Sequence, residues 1–447
     1  MRQEGVSSMA EAKTFKGGIH PSYNKELASG KAIKRAPVPS EVVIPLSQHI
    51  GAPNEALVTA GDRVEVGQKI GEADAFVSAP VHSSVAGTVK DIIELPNFTG
   101  AKVKSVVITA DAEQPEFVKK PGKDLDSLSD DEIRAIAKEA GLVGMGGAAF
   151  PTHVKLTPPK DKPVDTVIIN ACECEPFLTC DHRQLLERGD DMIAGARLLK
   201  TAVGASKVII GVEANKMDAV DALRSKASGL SDVEVEVLEV KYPEGAEKML
   251  IFALTGRKVP PGKLPSEVGC LAQNVGTAIA LYEAAAWGKP LYERVLTVTG
   301  PGIREPGNLL AAVGTPIQAL IDACGGFVGN PAKLIIGGPM TGWAQSETTA
   351  TVVKGTSGVV VLTSDTVDIG EETDCVRCSK CIETCPMFLS PNFIVQAAKR
   401  GQWDKTELWG ALDCFECGCC SFECPAYIPH VQYVRKAKAE IAALKKK

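Results

Sequence analysis

The sequence predicts a multidomain α/β protein, and three observations predict it. Between residues 165 and 256, apolar strand-like runs alternate with helical runs. Between residues 42 and 110, short apolar–polar alternations are punctuated by Gly or Pro. Beyond residue 370, a cysteine pattern occurs twice, its copies 39 positions apart. At 447 residues the chain is long enough for two to four domains with cores of their own.

The totals exclude several classes. Net charge is −6 and no basic block precedes the C-terminal AALKKK, which argues against nucleic acid as a partner. No run of 18 apolar residues exists; the best candidate, AIALYEAAAW (278–287), is short and contains Glu283. The N-terminal MRQEGVSSMAEAKTF lacks the apolar core of a signal peptide, and Met9 is a second possible start. The expected location is cytosolic, alone or docked on a membrane partner. Nine of the 14 cysteines lie within residues 375–424 in metal-ligand spacing, so reduced thiols holding metal are expected, not disulfides.

The first module, residues 42–110, contains VVIPLSQHIGAP and ALVTAGDRVEVGQKIGEADAFVSAPVHSSVAGTVKDI. Its G-D-x-V-x-x-G-Q and A-P-x-x-x-x-V-A-G-T-V patterns resemble the biotinyl/lipoyl barrel-sandwich hybrid. Carrier domains place a Lys on the hairpin between those halves, and here none occurs between Lys69 and Lys90. The module is expected to be a platform, not a swinging arm.

Next, SLSDDEIRAIAKEAG (127–141) carries polar caps and Ile/Ala at helical spacing, then Gly. It leads into GLVGMGGAAFPTHVKL (141–156), with four glycines in seven residues. Such a loop bares its backbone N–H groups to a phosphate or a flavin edge. A helix precedes it, so it is not the dinucleotide G-x-G-x-x-G turn; a plain glycine turn is the alternative. The strand, acidic turn and helix of DTVIINACECEPFLTCDHRQLLER (165–188) put Asn170, Glu173 and Glu175 at a strand's carboxyl end, where open α/β sheets bind ligands. The rhythm continues through 207–213, 216–227, 233–240 and 244–256, which predicts a largely parallel sheet.

At the C-terminus the motif C-x₂-C-x₂-C-x₃-C-P occurs as Cys375, Cys378, Cys381, Cys385 and again as Cys414, Cys417, Cys420, Cys424. Three closely spaced thiolates wrap three corners of a cubane, and the fourth comes from the other run, as in two-cluster ferredoxins. One [4Fe–4S] centre is therefore assigned Cys375, Cys378, Cys381 and Cys424, and the other Cys414, Cys417, Cys420 and Cys385. Zinc is the alternative, but neither run contains a His. Cys419 breaks the spacing and reads as a packed thiol. Cys270 and Cys324 read as core thiols. Cys172, Cys174 and Cys180 raise a third metal site as a minor alternative, and His153 and His182 are expected in structural roles.

Together the blocks GLVGMGGAAFPTHVKL, NACECEPFLTCDHR, YPEGAEKMLIFALTG and QNVGTA resemble the flavin- and NADH-binding subunit of respiratory complex I. They resemble still more closely the RnfC component of the Rnf ion-translocating oxidoreductase complex, from Phe15 to about Arg435. That resemblance implies an N-terminal arm (1–36), a barrel-sandwich hybrid (37–112), a Rossmann-like FMN/NADH domain (113–292), a β-grasp domain of SLBB type (293–362) and a ferredoxin-like α domain (363–447). It implies FMN near Gly144, Gly146, Gly147, Lys155, Asn170, Glu173 and Asn274, and nicotinamide contacts at Phe150 and Glu175. Complex I flavoproteins carry Arg and Asp where this chain has Met145 and Cys172. The implied activity is that of a ferredoxin:NAD⁺ oxidoreductase subunit, peripheral on the cytoplasmic side of the membrane. It would pass electrons between NAD(H), FMN, two [4Fe–4S] clusters and membrane subunits, coupled to Na⁺ or H⁺ movement. No residue is assigned general acid–base catalysis, because hydride transfer needs none. Two other readings fit the same residues: a soluble cobalamin-reductase-like flavin/iron–sulfur reductase, and a non-enzymatic two-cluster scaffold.

Overall fold

The computed structural model describes residues 12–120, 122–368 and 370–445; Met9 lies outside them. The first module is two small antiparallel sheets. One contains Glu41–Pro45, Arg63–Val64, Gly87–Pro96 and Lys102–Ala110, the other Glu55–Ala56, Lys69–Glu72 and Val81–His82. The inward residues of the alternation, including Val42, Ile44, Val64, Ile70, Val106 and Ile108, form one core between them. The segment linking Glu72 to Val81 does not swing free. The carbonyl of Phe76 accepts a hydrogen bond from His153 Nε2 of the next domain at 2.9 Å, and the two rings meet edge to face. This is why a carrier-like fold acts as a platform here.

The second domain holds a parallel four-stranded sheet in the order Val233–Leu238, Lys207–Glu213, Thr166–Ala171, Cys270–Asn274. Thr166–Ala171 is buried on both faces, as a central parallel strand must be, so its sequence TVII does not alternate. Helices Gly189–Val203 and Val275–Trp287 share the larger core on one face, and Glu247–Thr255 packs in the smaller core on the other. The helix Asp130–Glu139 begins with a complete capping box between Ser129 and Glu132. Parallel strands place all their carboxyl ends on one edge, and there Asn170 and Asn274 are register partners.

The third domain is a β-grasp sheet built from Glu293–Thr299, Gly307–Ala312, Pro331–Ile336, Trp343–Gln345 and Gly358–Thr363, with helix Ile317–Ala323 over its core. One of its two edge strands is Ile33–Arg35 from the N-terminal segment, paired parallel to Gly307–Ala312. Nothing local in IKR announces this, because its partner lies more than 270 residues away. Lys354 binds three modules together: its buried Nζ donates to Pro80 O of the barrel at 2.6 Å and to Gly141 O of the second domain at 2.7 Å.

The C-terminal domain folds one backbone twice. Left-handed conformations occur at Arg377 and Glu416, at Ser379 and Gly418, and at Phe388 and Tyr427. Each pair is separated by the 39 residues that separate the cysteine runs. The short helices Lys380–Glu383 and Cys419–Phe422 repeat at the same interval. Helices Pro391–Lys399 and His430–Lys445 pack across the two loops.

Candidate flavin crevice and iron–sulfur centres

At the carboxyl edge of the parallel sheet, three segments converge. The glycine loop is anchored at its ends by Gly144 N to Phe150 O at 2.9 Å and by Met145 N to Thr277 Oγ1 at 3.0 Å. Between these anchors Gly146 and Gly147 are exposed. Among the described residues, neither of their backbone N–H groups has a protein acceptor. A Cβ on Gly146 would stand 3.0 Å from Asn274 Nδ2, whereas one on Gly147 would meet nothing within 4 Å. The loop therefore lies directly over Asn274 and leaves an open, donor-rich backbone surface, which fits a phosphate-bearing flavin. Met145, where complex I flavoproteins carry Arg, turns inward and is buried in the core. A buried guanidinium does lie beneath the loop: Arg294, from the β-grasp domain, donates to Lys354 O at 2.7 Å and to Met145 O at 3.4 Å.

Asn274 Oδ1 caps its helix through Gly276 N, and its Nδ2 donates to Asp181 Oδ2 at 2.7 Å. Asn170 Nδ2 donates to Gly245 O at 2.7 Å. Lys155 Nζ reaches over the same edge to Glu247 Oε1 and Ala272 O, both at 2.7 Å. Phe150 closes the glycine loop and is half-buried. Asn170, Glu173, Lys155, Asn274 and the three glycines thus gather around one crevice.

The acidic turn 172–178 adopts left-handed conformations at Glu173 and Phe177, which would be costly without support. Two buried lysines that no sequence pattern singles out supply it. Lys25 Nζ donates to the carbonyls of Glu173, Glu175 and Leu178 at 2.7, 3.0 and 2.6 Å. Lys216 Nζ donates to Cys172 O at 2.6 Å and pairs with Glu213 at 3.0 Å, both charges fully buried. Burial pushes the Lys25 ammonium below its ordinary range, the neighbouring Glu173 notwithstanding. Glu173 accepts from the amides of Asp181 and His182, at the start of the helix Cys180–Glu187. Asp181 is pushed up to about 7 by burial and then by the charge of Glu173. The carboxylate of Glu175 points across to the β-grasp domain, where it accepts from the amides of Met340 and Thr341 and from the Thr341 hydroxyl.

The three thiols of this turn do not converge on one point. Cys172 Sγ faces Gly211 O, Cys174 Sγ accepts from Gly245 N, and Cys180 Sγ faces Ser357 O. The group that does draw together is Glu173, Cys180 and Asp181, whose carboxylates are already bonded to amides and to Asn274. His153 and His182 are hydrogen-bonded within the fold, the latter to Asp218 at 2.9 Å. Cys270 and Cys324 are buried in apolar cores.

In the C-terminal domain the thiols sort across the two runs. Burial raises the Cys381 thiol, and Cys375, Cys424 and Cys378 raise it further; burial likewise raises the Cys420 thiol, and Cys417, Cys414, Cys385 and then Cys381 raise it further. Cys385, Cys414, Cys417 and Cys420 line a small apolar cavity with Leu389, Ile394, Val431 and Val434. Four soft ligands around an apolar void fit a cubane cluster. Cys419 is fully buried beside Tyr242 and Ile19, a packed thiol. Glu416 is ion-paired with both Arg435 and Lys438 at 2.7 Å, and Lys438 also donates to Cys414 O.

Fold and site define a flavin- and iron–sulfur-binding electron-transfer protein. Comparison with known families agrees module by module: the RnfC barrel sandwich hybrid domain matches residues 13–113, the Nuo51 FMN-binding domain 137–283, the SLBB domain 295–344 and a 4Fe-4S dicluster domain 368–428. Over 435 residues the chain is 46% identical to the RnfC component of the Na(+)-translocating ferredoxin:NAD(+) oxidoreductase complex of Acetobacterium woodii, covering 97% of this chain and 98% of that one. It is also 46% identical to the counterpart in the proton-translocating ferredoxin:NAD(+) oxidoreductase complex of Clostridium ljungdahlii, with 96% and 94% covered. Identity is 37% to the corresponding component of the ion-translocating oxidoreductase complex of Rhodobacter capsulatus, with 96% and 83% covered. The chain belongs to the RnfC family of ion-translocating oxidoreductase complexes.

Proposed function

We propose that this chain is the NAD(H)-facing subunit of an Rnf-type complex, passing electrons between NAD(H) and the complex's other subunits and ferredoxin. Among the described residues no helix is long and apolar enough to cross a membrane, which supports a peripheral position, here assigned to the cytoplasmic side. The observation that carries the reading is the exposed glycine loop over Asn274 and Asn170, joined in one chain to two four-cysteine sites.

Flavin chemistry converts two-electron exchange with a nicotinamide into one-electron exchange with iron–sulfur centres. The chain's own part is to bind and orient. The amides of Gly146 and Gly147 offer donors to the phosphate, Gly144 holds the loop's shape through its bond to Phe150 O, and Lys155, paired with Glu247, lies at the same rim. Asn170 and Asn274 shape the crevice floor, and the half-buried ring of Phe150 offers a stacking face for the nicotinamide. The carboxylates of Glu173 and Glu175 are engaged by amides, so they contribute fixed geometry and negative potential. Cys375, Cys378, Cys381 and Cys424 hold one cluster, and Cys414, Cys417, Cys420 and Cys385 the other.

Anaerobic purification with iron, sulfide and flavin assays, followed by stopped-flow mixing with NADH, tests this reading. The expected result is about eight irons and one FMN per chain, with flavin bleaching ahead of the clusters. A flavin-free, NADH-inert protein with a full iron complement would overturn it and establish the scaffold reading. Gly146→Val, which drives a side chain into Asn274, should abolish NADH-dependent flavin reduction, while Gly147→Ala should be mild.

A further inference from the structure

One short segment, residues 242–247, touches both the flavin crevice and the ferredoxin-like domain. At its C-terminal end, Glu247 is bonded to Lys155 and Gly245 O to Asn170, both crevice residues. Gly245 N donates to Cys174 Sγ at 3.3 Å. At its N-terminal end, Tyr242 is 2% exposed, and its hydroxyl donates to Cys417 O at 2.7 Å. Its ring packs with Ile19, Cys174 and Cys419.

The contacts around Tyr242 also orient the cluster domain. Gly18 N donates to Thr384 O at 2.9 Å, and a Cβ on Gly17 would lie 3.1 Å from Cys385 O. The residues at the junction are thus 384–385 and 417–419, which flank or belong to one four-cysteine set. Of the other set, Cys375 and Cys378 are exposed to solvent.

We propose that Tyr242 is the positioning residue of the interdomain electron path. The centre held by Cys385, Cys414, Cys417 and Cys420 then exchanges electrons directly with the flavin, and the Cys375, Cys378, Cys381, Cys424 centre is the outward relay. Each transfer oxidises one of the two partners by one electron and reduces the other by one; no bond in the chain forms or breaks. The hydroxyl of Tyr242 fixes the Cys417 loop against the flavin domain. It also directs the positive end of an O–H dipole toward the cluster loop, which favours the reduced, more negative centre. The proposal rests on the FMN and cluster reading above.

The test uses the anaerobic holoprotein and Tyr242→Phe, which keeps the ring's packing and removes only the donor. Iron and FMN contents are expected to match the parent. In an EPR redox titration, one centre should move to lower potential while the other stays in place. Freeze-quench after NADH mixing should show reduction of that centre slowed, and slowed further in Tyr242→Leu, which also removes the ring that packs against Cys419. A Cys378→Ser background, which removes the outward centre, assigns the shifted signal, and NADH should still reduce the remaining cluster there. Unchanged potentials and rates in both Tyr242 variants, or a shift confined to the Cys375 centre, would overturn the proposal while leaving the cofactor reading intact. A parent protein without FMN would instead overturn the cofactor reading, and the proposal with it.

Discussion

The two ends of the electron path are built by opposite strategies. In the proposed assignment each iron–sulfur site takes three ligands from one short run and the fourth from a copy of that run 39 residues away. The flavin crevice takes its parts from a loop near residue 146, strand ends at Asn170 and Asn274, and a turn held by Lys25 and Lys216. A site made of repeated local spacing survives change elsewhere in the chain; a site made of distant segments depends on all of them. The one non-local feature of the clusters is the exchanged fourth thiolate. Cys424→Ser should strip the centre that contains Cys375, not the one that contains its own run-mates. Iron content should fall by about half, and the surviving EPR signal should be that of the Cys414 centre.

The crevice should fail from further away. Lys25→Met leaves the carbonyls of Glu173, Glu175 and Leu178 without their buried donor, at a cost of about 1–3 kcal/mol for each unsatisfied group. Flavin content and melting temperature should drop together, while iron content holds. A variant that keeps its FMN and its melting temperature would show that the turn stands by itself.

A smaller effect is expected at the three-module junction. Burial lowers Lys354 from 10.5 to about 7. Between about pH 7 and 10.5 the unfolded chain therefore binds more protons at this residue than the folded one, and stability rises with pH. Below about 7 both states are protonated and the contribution is flat. The unfolding free energy from urea melts should rise across that window by up to about 1.4 kcal/mol per pH unit in the parent, and the rise should flatten in Lys354→Met. The mildest change is Ser129→Ala, which removes one side of a capping box in the flavin domain and should cost about 1 kcal/mol by calorimetry, with both cofactors retained.

Much of this molecule is legible in its sequence. The doubled cysteine run marks a two-cluster domain, because a cubane tolerates only certain spacings. The unbroken apolar run TVII and the Ser129–Glu132 pair mark a buried strand and a helix start, because both signals act within one element. The glycine loop and the strand ends are legible as a ligand edge for the same reason. Lys25, Lys216 and Lys354 are not. In sequence each is one of many charged residues, and nothing distinguishes a lysine that will be buried against carbonyls 44 to 274 positions away. Nor can the tripeptide Ile33–Arg35 reveal that it completes the β-grasp sheet, or Tyr242 that it meets Cys417.

The sequence by itself therefore determined the order of the main elements and the spacing of the candidate cluster thiols. Period, capping and ligand spacing all act over a few residues, or repeat at a fixed interval. Only the tertiary structure decided what braces the acidic turn, where Glu175 points, and which cysteine loop meets Tyr242. Burying a lysine's charge or a tyrosine's hydroxyl is tolerable only where its partners are already in place, and here those partners come from other domains.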